Sequence, residues 1–200
     1  MKKYTQINDI ESVSEMIQEA IELKKKPFQF ANIGHHKTLV MLFFNSSLRT
    51  RLSTEKAAKN LGMQVMVLHV SDAWELEFDD GAVMNLNRSE HVKEAAQVIS
   101  QYADIIALRA FPTLKNKQED ESELVLNSFV RYASVPVVNM ESAMAHPLQA
   151  LADAMTIEEL KTKSNPKVVL SWAPHPKALP HAVANSFVKM MSELKIDFSI

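Results

Sequence analysis

Continuous apolar runs alternate along this chain with segments in which apolar residues return every three or four positions. Ile10, Val13, Met16, Ile17, Ala20 and Ile21 follow the helical spacing behind Asp9, a candidate N-cap, and so predict an opening amphipathic helix. The stretch 37–44 is almost unbroken in its apolarity, as a parallel strand covered on both faces should be, and it runs into a polar turn. A helix over 50–61 then stops at Gly62. The unit repeats, with strands predicted at 64–70, 104–109 and 135–139 and helices at 90–102 and 121–132. Strands alternating with helices predict an α/β fold built on a parallel sheet. Sheets of this kind take ligands just beyond the carboxyl ends of their strands, which singles out 45–51, 71–87, 109–113 and 140–146.

After His146-Pro147 the pattern predicts a helix to about Lys163, a strand at 167–172, a helix at 181–194 and a final strand at 196–200. This divides the chain into a domain at 1–145 and, at 146–200, a linking helix with the first part of a second α/β domain. Two complete domains of this kind need roughly 300 residues, so the sequence reads as a fragment. With 46% hydrophobic residues the chain has ample material for a core, and 22 basic residues against 24 acidic ones leave a formal charge of −2. Nothing in that balance asks for nucleic acid or an anionic membrane. The absence of cysteine excludes disulfides and cysteine-ligated metals in this stretch and fits a reducing compartment. Polar residues follow Met1 where a signal core would be apolar, so a cytoplasmic location is expected.

Candidate chemistry is concentrated at the predicted strand ends. Ser46-Ser47-Leu48-Arg49-Thr50-Arg51 brings hydroxyls, backbone N–H groups and guanidinium groups to a helix N-terminus, which suits an anion. Taken alone, the same segment also fits a capped helix with surface arginines. His146-Pro147 opening a helix is equally compatible with a cap and a packed imidazole. His35-His36 lacks the i, i+4 spacing of a helical metal site and reads as a solvated turn. The methionines, Met63, Met66, Met190 and Met191 among them, read as core filler, and Glu119-Asp120-Glu121 reads as the start of a helix.

Two of these segments together carry a resemblance. Phe44-Asn45-Ser46-Ser47-Leu48-Arg49-Thr50-Arg51 resembles the phosphate-binding signature of aspartate and ornithine transcarbamylases, commonly Ser-Thr-Arg-Thr-Arg, with Leu48 in place of the usual threonine. His146-Pro147-Leu148-Gln149-Ala150-Leu151-Ala152-Asp153 is similar to the family's His-Pro-x-Gln-x-Leu-x-Asp box. Arg109, ending a predicted strand, stands where the family has another ligand-binding arginine. The resemblance implies that Ser47, the Leu48 N–H, Arg49 and Thr50 hold the phosphate of carbamoyl phosphate, with Arg51 supporting the loop. It further implies that His146, Arg109 and the Thr50 hydroxyl stabilise the carbonyl oxygen and that Gln149 holds the carbamoyl NH₂. No metal and no cofactor are implied.

Three further features resemble the N-acylornithine group of that family. Trp74 looks like the tryptophan that this group sends into the carbamoyl-phosphate site of a neighbouring subunit, which implies a homotrimer; packing inside its own subunit is the other reading of that residue. Trp172-Ala173-Pro174-His175-Pro176 is similar to the group's Trp-Ala-Pro-His-Pro segment. Glu141 matches the glutamate used in acceptor binding, with His175 as its companion across the cleft, although a glutamate there also fits a helix cap. The resemblance implies carbamoyl transfer to an N-acylated ornithine in arginine biosynthesis. Acetyl-type members tend to have glutamate and succinyl-type members proline where this chain has Ser89, and the lack of an acidic side chain there favours the succinyl acceptor. The family's later Cys-Leu-Pro segment does not occur in these 200 residues. A non-catalytic anion-binding subunit, an ordinary ornithine carbamoyltransferase and another phosphate-binding α/β enzyme are the competing expectations.

Overall fold

The computed structural model describes residues 2–70, 75–84, 88 and 90–200. Trp74 and Ser89 therefore lie outside the described residues. A five-stranded sheet forms the main body, with strands β1 (Lys3–Tyr4), β2 (Thr38–Phe43), β3 (Gln64–His69), β6 (Ile105–Arg109) and β7 (Val137–Glu141) in the order β1-β7-β6-β2-β3. Every pair is parallel, as the α/β pattern predicts. Two short strands, β4 (Leu76–Glu77) and β5 (Glu90–His91), make a separate parallel pair.

β2 is central and reads as a continuous apolar run because both its faces are covered. Val40, Leu42 and Ile106 pack into one cluster with α3 (Val92–Tyr102) and α5 (Leu124–Tyr132), while Leu39, Met41 and Phe43 pack on the opposite side with Ala58 of α2 (Arg49–Asn60). Gly62 ends α2 with φ +81°, and a Cβ there would lie 2.0 Å from the Ala31 carbonyl oxygen. Only glycine satisfies both demands.

The chain leaves β2 towards β3 on one side and later returns to β6 on the other. The carboxyl ends of β2 and β6 thus flank the switch point where parallel sheets open a crevice. Register aligns Phe43 with Arg109 and Arg109 with Glu141, and an irregularity between Leu108 and Arg109 lets the last pair face one another.

Beyond the sheet, α6 (Pro147–Leu160) packs with α1 (Val13–Lys25) and α7 (Ala182–Glu193) around Ile17, Ala150, Ala154, Met190 and Met191. A further parallel pair, β8 (Val168–Val169) with β9 (Phe198–Ser199), lies against this cluster. Among the described residues no helix is long and apolar enough to cross a membrane.

Several boundaries differ from the sequence expectation. Asp9 does not cap α1: Ser12 does, accepting the Glu15 N–H at 3.3 Å, while the Asp9 carboxylate accepts from the Thr5 N–H and hydroxyl, each at 2.7 Å. The helix predicted at 121–132 is two helices, α4 (Lys117–Ser122) and α5, broken at Glu123 with φ 48° and ψ 42°. The predicted strand 167–172 is paired only at β8, because its one neighbour, β9, is itself two residues long. Met190 and Met191 are fully buried as expected, but Met66 is 45% exposed and is not core filler.

Candidate active site

A cleft of about 670 Å³ opens at the switch point. Ser47, Leu48, Arg49 and Thr50 form one wall, and Arg109, Glu141, His146 and Gln149 line the rest. Pattern reading missed Ser53 and Thr54 as lining residues, although both lie one turn beyond Arg49 and Thr50 on α2. Val183, which comes from α7, was also missed, and nothing local marks it. His175 is not part of this lining: it is exposed, and its Nδ1 accepts the Lys177 N–H at 3.1 Å.

The wall formed by 47–50 follows from how α2 starts. Leu48 precedes the helix and supplies no side-chain cap, and the first turn contains no acidic residue. The first N–H groups of any helix have no intrahelical acceptor, so here they are left for an anion, reinforced by the helix dipole. The Leu48 side chain itself is 72% exposed, so its departure from threonine costs a hydroxyl but no packing. Among the described residues the Arg51 side chain reaches the Nε2 of His69, 3.4 Å away at the end of β3, and makes no hydrogen bond to the loop.

The loop is held instead by Arg109. Its Nη1 donates to the Ser46 carbonyl at 2.7 Å, its Nε and Nη2 donate to Glu141 Oε2 at 3.2 and 3.1 Å, and its guanidinium stands 4.0 Å from the Phe111 ring centre. Asn45 adds a tie, its Oδ1 accepting the Phe111 N–H at 2.6 Å. Nη1 also reaches the Asn45 carbonyl at 3.5 Å, so of the five N–H donors in the planar fork the second N–H of Nη2 remains for a ligand.

Burial raises the Glu141 carboxyl above its ordinary range, against the opposing pull of Arg109. Burial first, and the Arg109 cation second, depress His146 to about 4. At neutral pH His146 is therefore an uncharged imidazole, and its 3.9 Å approach to Glu141 is not an ion pair. Among the described residues the buried His146 Nδ1 has no partner. A buried unused acceptor is less costly than a buried unused N–H, so the proton belongs on Nε2, leaving a neutral donor. Gln149 donates through Nε2 to Asp153 Oδ1 at 2.9 Å, which leaves its amide oxygen as the free end.

The chain matches the aspartate/ornithine carbamoyltransferase, carbamoyl-P binding domain over residues 2–159. It belongs to this family. Among curated relatives, it is 49% identical over 201 residues to the N-succinylornithine carbamoyltransferase of Bacteroides thetaiotaomicron, covering 100% of this chain and 63% of that protein. It is 42% identical over 191 residues to the N-acetylornithine carbamoyltransferase of Xylella fastidiosa, covering 90% of this chain and 56% of the relative. A crystal structure of acetylornithine transcarbamylase complexed with acetylcitrulline superposes with a TM-score of 0.92 at 35% identity, covering 100% of this chain and 61% of that one. The parallel sheet described above is thus the carbamoyl-phosphate-binding fold of the transcarbamylases. The chain spans at most 63% of the length of these relatives.

Proposed function

We propose that this chain is the carbamoyl-phosphate-binding part, with the start of the acceptor-binding part, of an N-acylornithine carbamoyltransferase that uses N-succinylornithine in preference to N-acetylornithine. The observation that carries the reading is a helix N-terminus and Arg49 facing Arg109, neutral His146 and Gln149 in one cleft at the switch point of a transcarbamylase sheet. The division at 1–145 and 146–200, a cytoplasmic location and a role in arginine biosynthesis go with the same proposal.

In the proposed reaction the side-chain amine of the acceptor attacks the carbonyl carbon of carbamoyl phosphate. A C–N bond forms, the bond from carbon to the bridging phosphate oxygen breaks, and the surplus amine proton leaves with the phosphate. Negative charge develops on the carbonyl oxygen, where donors fixed in advance contribute most. Neutral His146 suits this task through Nε2–H, together with a remaining N–H of Arg109 and the Thr50 hydroxyl. Ser47, the Leu48 N–H, Arg49 and the α2 N-terminus bind the departing phosphate. The free amide oxygen of Gln149 accepts from the carbamoyl NH₂, so orientation supplies part of the rate.

Glu141 and His175 are proposed acceptor ligands. His175, exposed and outside the cleft lining, would have to move or be joined by further chain to meet the acceptor. Trp74 is proposed to enter the carbamoyl-phosphate site of a neighbouring subunit in a homotrimer. Support for the succinyl acceptor comes from relatives in Bacteroides species that are named N-succinylornithine carbamoyltransferase. Variants of N-acetyl-L-ornithine transcarbamylase, 34% identical to this chain, in which one glutamate is replaced by serine, alanine, valine or proline were crystallised with carbamyl phosphate and N-succinyl-L-norvaline, which fits a choice of acceptor governed by loss of an acidic side chain, the feature that the resemblance assigns to Ser89. Phosphate release by the full-length protein, assayed in parallel with N-succinylornithine, N-acetylornithine and ornithine, tests the proposal. The expected order of kcat/KM is succinyl, then acetyl, then ornithine; highest activity with ornithine overturns it.

A further inference from the structure

Among the described residues the ring of His146 has no hydrogen bond of its own to orient it. Nδ1 is buried without a partner there, and Nε2 stands 3.9 Å from Glu141, beyond hydrogen-bonding reach. The position of the ring is therefore inherited from its backbone, which is held on one side by Ser186 of α7, whose Oγ accepts the His146 N–H at 2.8 Å, and on the other by the turn 142–145, which begins immediately after Glu141. What fixes this turn contributes to the spacing between Glu141 and His146.

The turn is held from outside the cleft by Asn185 of α7, whose Nδ2 donates to the Met144 carbonyl at 3.2 Å, and, with two bonds, by Glu123. One carboxylate oxygen, Oε1, accepts both the Ser142 hydroxyl and, at 2.8 Å, the Met144 N–H. With its proton directed to Glu123, the Ser142 oxygen is free to accept from Asn139 Nδ2 at 2.9 Å and from the Ala145 N–H at 3.3 Å. The Ser142 N–H donates to the Ala145 carbonyl at 2.9 Å, closing the turn. Asn139 and Ser142 are almost wholly buried, at 0% and 1% exposure, so these bonds compete with little water.

Glu123 reaches the turn from a backbone conformation that glutamate rarely adopts. Its φ of 48° puts it in the left-handed region at the junction of α4 and α5. Glycine would make this helix break without steric cost. What glutamate adds at the position is the carboxylate and its two bonds to the turn.

Building on the proposed carbamoyl transfer, we propose that Glu123 is a positioning residue: it clamps the turn 142–145 and so sets where His146 meets the carbonyl oxygen. Glu123 touches no ligand in this account, because it is not among the residues lining the cleft. Misplacement of His146 weakens the contact made in the transition state more than the grip on phosphate, which rests on the α2 wall. Loss of the clamp should appear in kcat and leave the KM for carbamoyl phosphate nearly unchanged.

The test is Glu123→Gly in the full-length protein, since glycine keeps the left-handed backbone and removes only the clamp. Expected are a kcat lowered by about tenfold or more, a carbamoyl-phosphate KM within about threefold of wild type, and faster hydrogen exchange at the Met144 amide. Glu123→Gln should recover kcat to within about threefold, because its amide oxygen can take the place of Oε1 and accept both the Ser142 hydroxyl and the Met144 N–H. If the glycine variant fails to fold, Ser142→Ala removes one of the two bonds from the other end and should give the same split between kcat and KM. A wild-type kcat in the variant, a loss that glutamine does not recover, or unchanged Met144 exchange overturns the clamp. A wild-type protein that transfers no carbamoyl group to any ornithine derivative overturns the proposed function instead, and Met144 exchange then still decides the clamp.

Discussion

Arg109 and Glu141, 32 residues apart in sequence, meet at the ends of neighbouring strands with two guanidinium nitrogens 3.1 and 3.2 Å from one carboxylate oxygen. Both side chains are almost fully buried, so each neutralises a charge that the fold would otherwise hold at a high cost. The same guanidinium holds the loop before α2 through the Ser46 carbonyl. One ion pair thereby joins the wall of the cleft proposed for phosphate to the wall proposed for the acceptor.

Glu141→Ala leaves the Arg109 cation buried without its carboxylate, against the Ser46 and Asn45 carbonyls and the Phe111 ring. Removing one partner of a buried pair costs about 3–5 kcal/mol, and the remaining contacts put the expected loss near the lower end, about 3 kcal/mol. Urea unfolding of the variant and wild type measures this. A loss below about 1 kcal/mol, the scale of an exposed pair, contradicts the pairing as described.

His146 should titrate far below an ordinary histidine. Its folded pKa of about 4 lies under the unfolded value of 6.5, so between those pH values the unfolded chain binds a proton that the folded one refuses. Its contribution to stability is complete above pH 6.5 and is lost as pH falls towards 4. Following the His146 ring protons by NMR should give a midpoint near 4, and a midpoint of 6.5 or higher would refute the neutral-donor role. Replacing Arg109 by methionine should raise the midpoint, because it removes the nearby positive charge.

Arg49→Ala should weaken carbamoyl-phosphate binding by about ten- to a hundredfold, the range of one charge-assisted hydrogen bond. Leu48→Thr should change it by less than about threefold, because the exposed Leu48 side chain leaves the work to the backbone N–H. Calorimetric titration of the full-length protein distinguishes the two. Equal effects at both positions would mean that the loop does not hold the phosphate as proposed.

Trp74→Ala and Ser89→Glu test the two remaining assignments. Because Trp74 is proposed to enter the carbamoyl-phosphate site of a neighbouring subunit, the tryptophan variant should weaken carbamoyl-phosphate binding and acceptor use together. Ser89→Glu introduces a carboxylate that repels the succinyl carboxylate and should lower kcat/KM for N-succinylornithine by about tenfold relative to N-acetylornithine. Unchanged acceptor kinetics in either variant rejects the role assigned to that residue.

The parallel sheet was legible because burial on both faces writes β2 as an unbroken apolar run, and the two boxes stand where such strands end. Less local features were not. Asp9 and Ser12 are both good capping residues, and Thr5, by engaging Asp9, decides between them. Glutamate is a good helix former, so nothing at Glu123 announces a helix break; the reason lies in the turn beside it, at Ser142 and Met144. The Arg109–Glu141 pair depends on the register irregularity beside Arg109, which no spacing along the chain displays. His175 lies in an exposed segment, and among the described residues its side chain bonds to Lys177, two residues away.

The central claim is that the cleft recognises the carbamoyl group as well as the phosphate. Binding of carbamoyl phosphate and of inorganic phosphate to the full-length protein, compared by competition under the same conditions, tests it most directly. The account predicts that carbamoyl phosphate binds at least about tenfold more tightly, because His146, Arg109 and Gln149 add hydrogen bonds that phosphate alone cannot receive. Equal affinity for the two would reduce the cleft to an anion site and contradict the proposal.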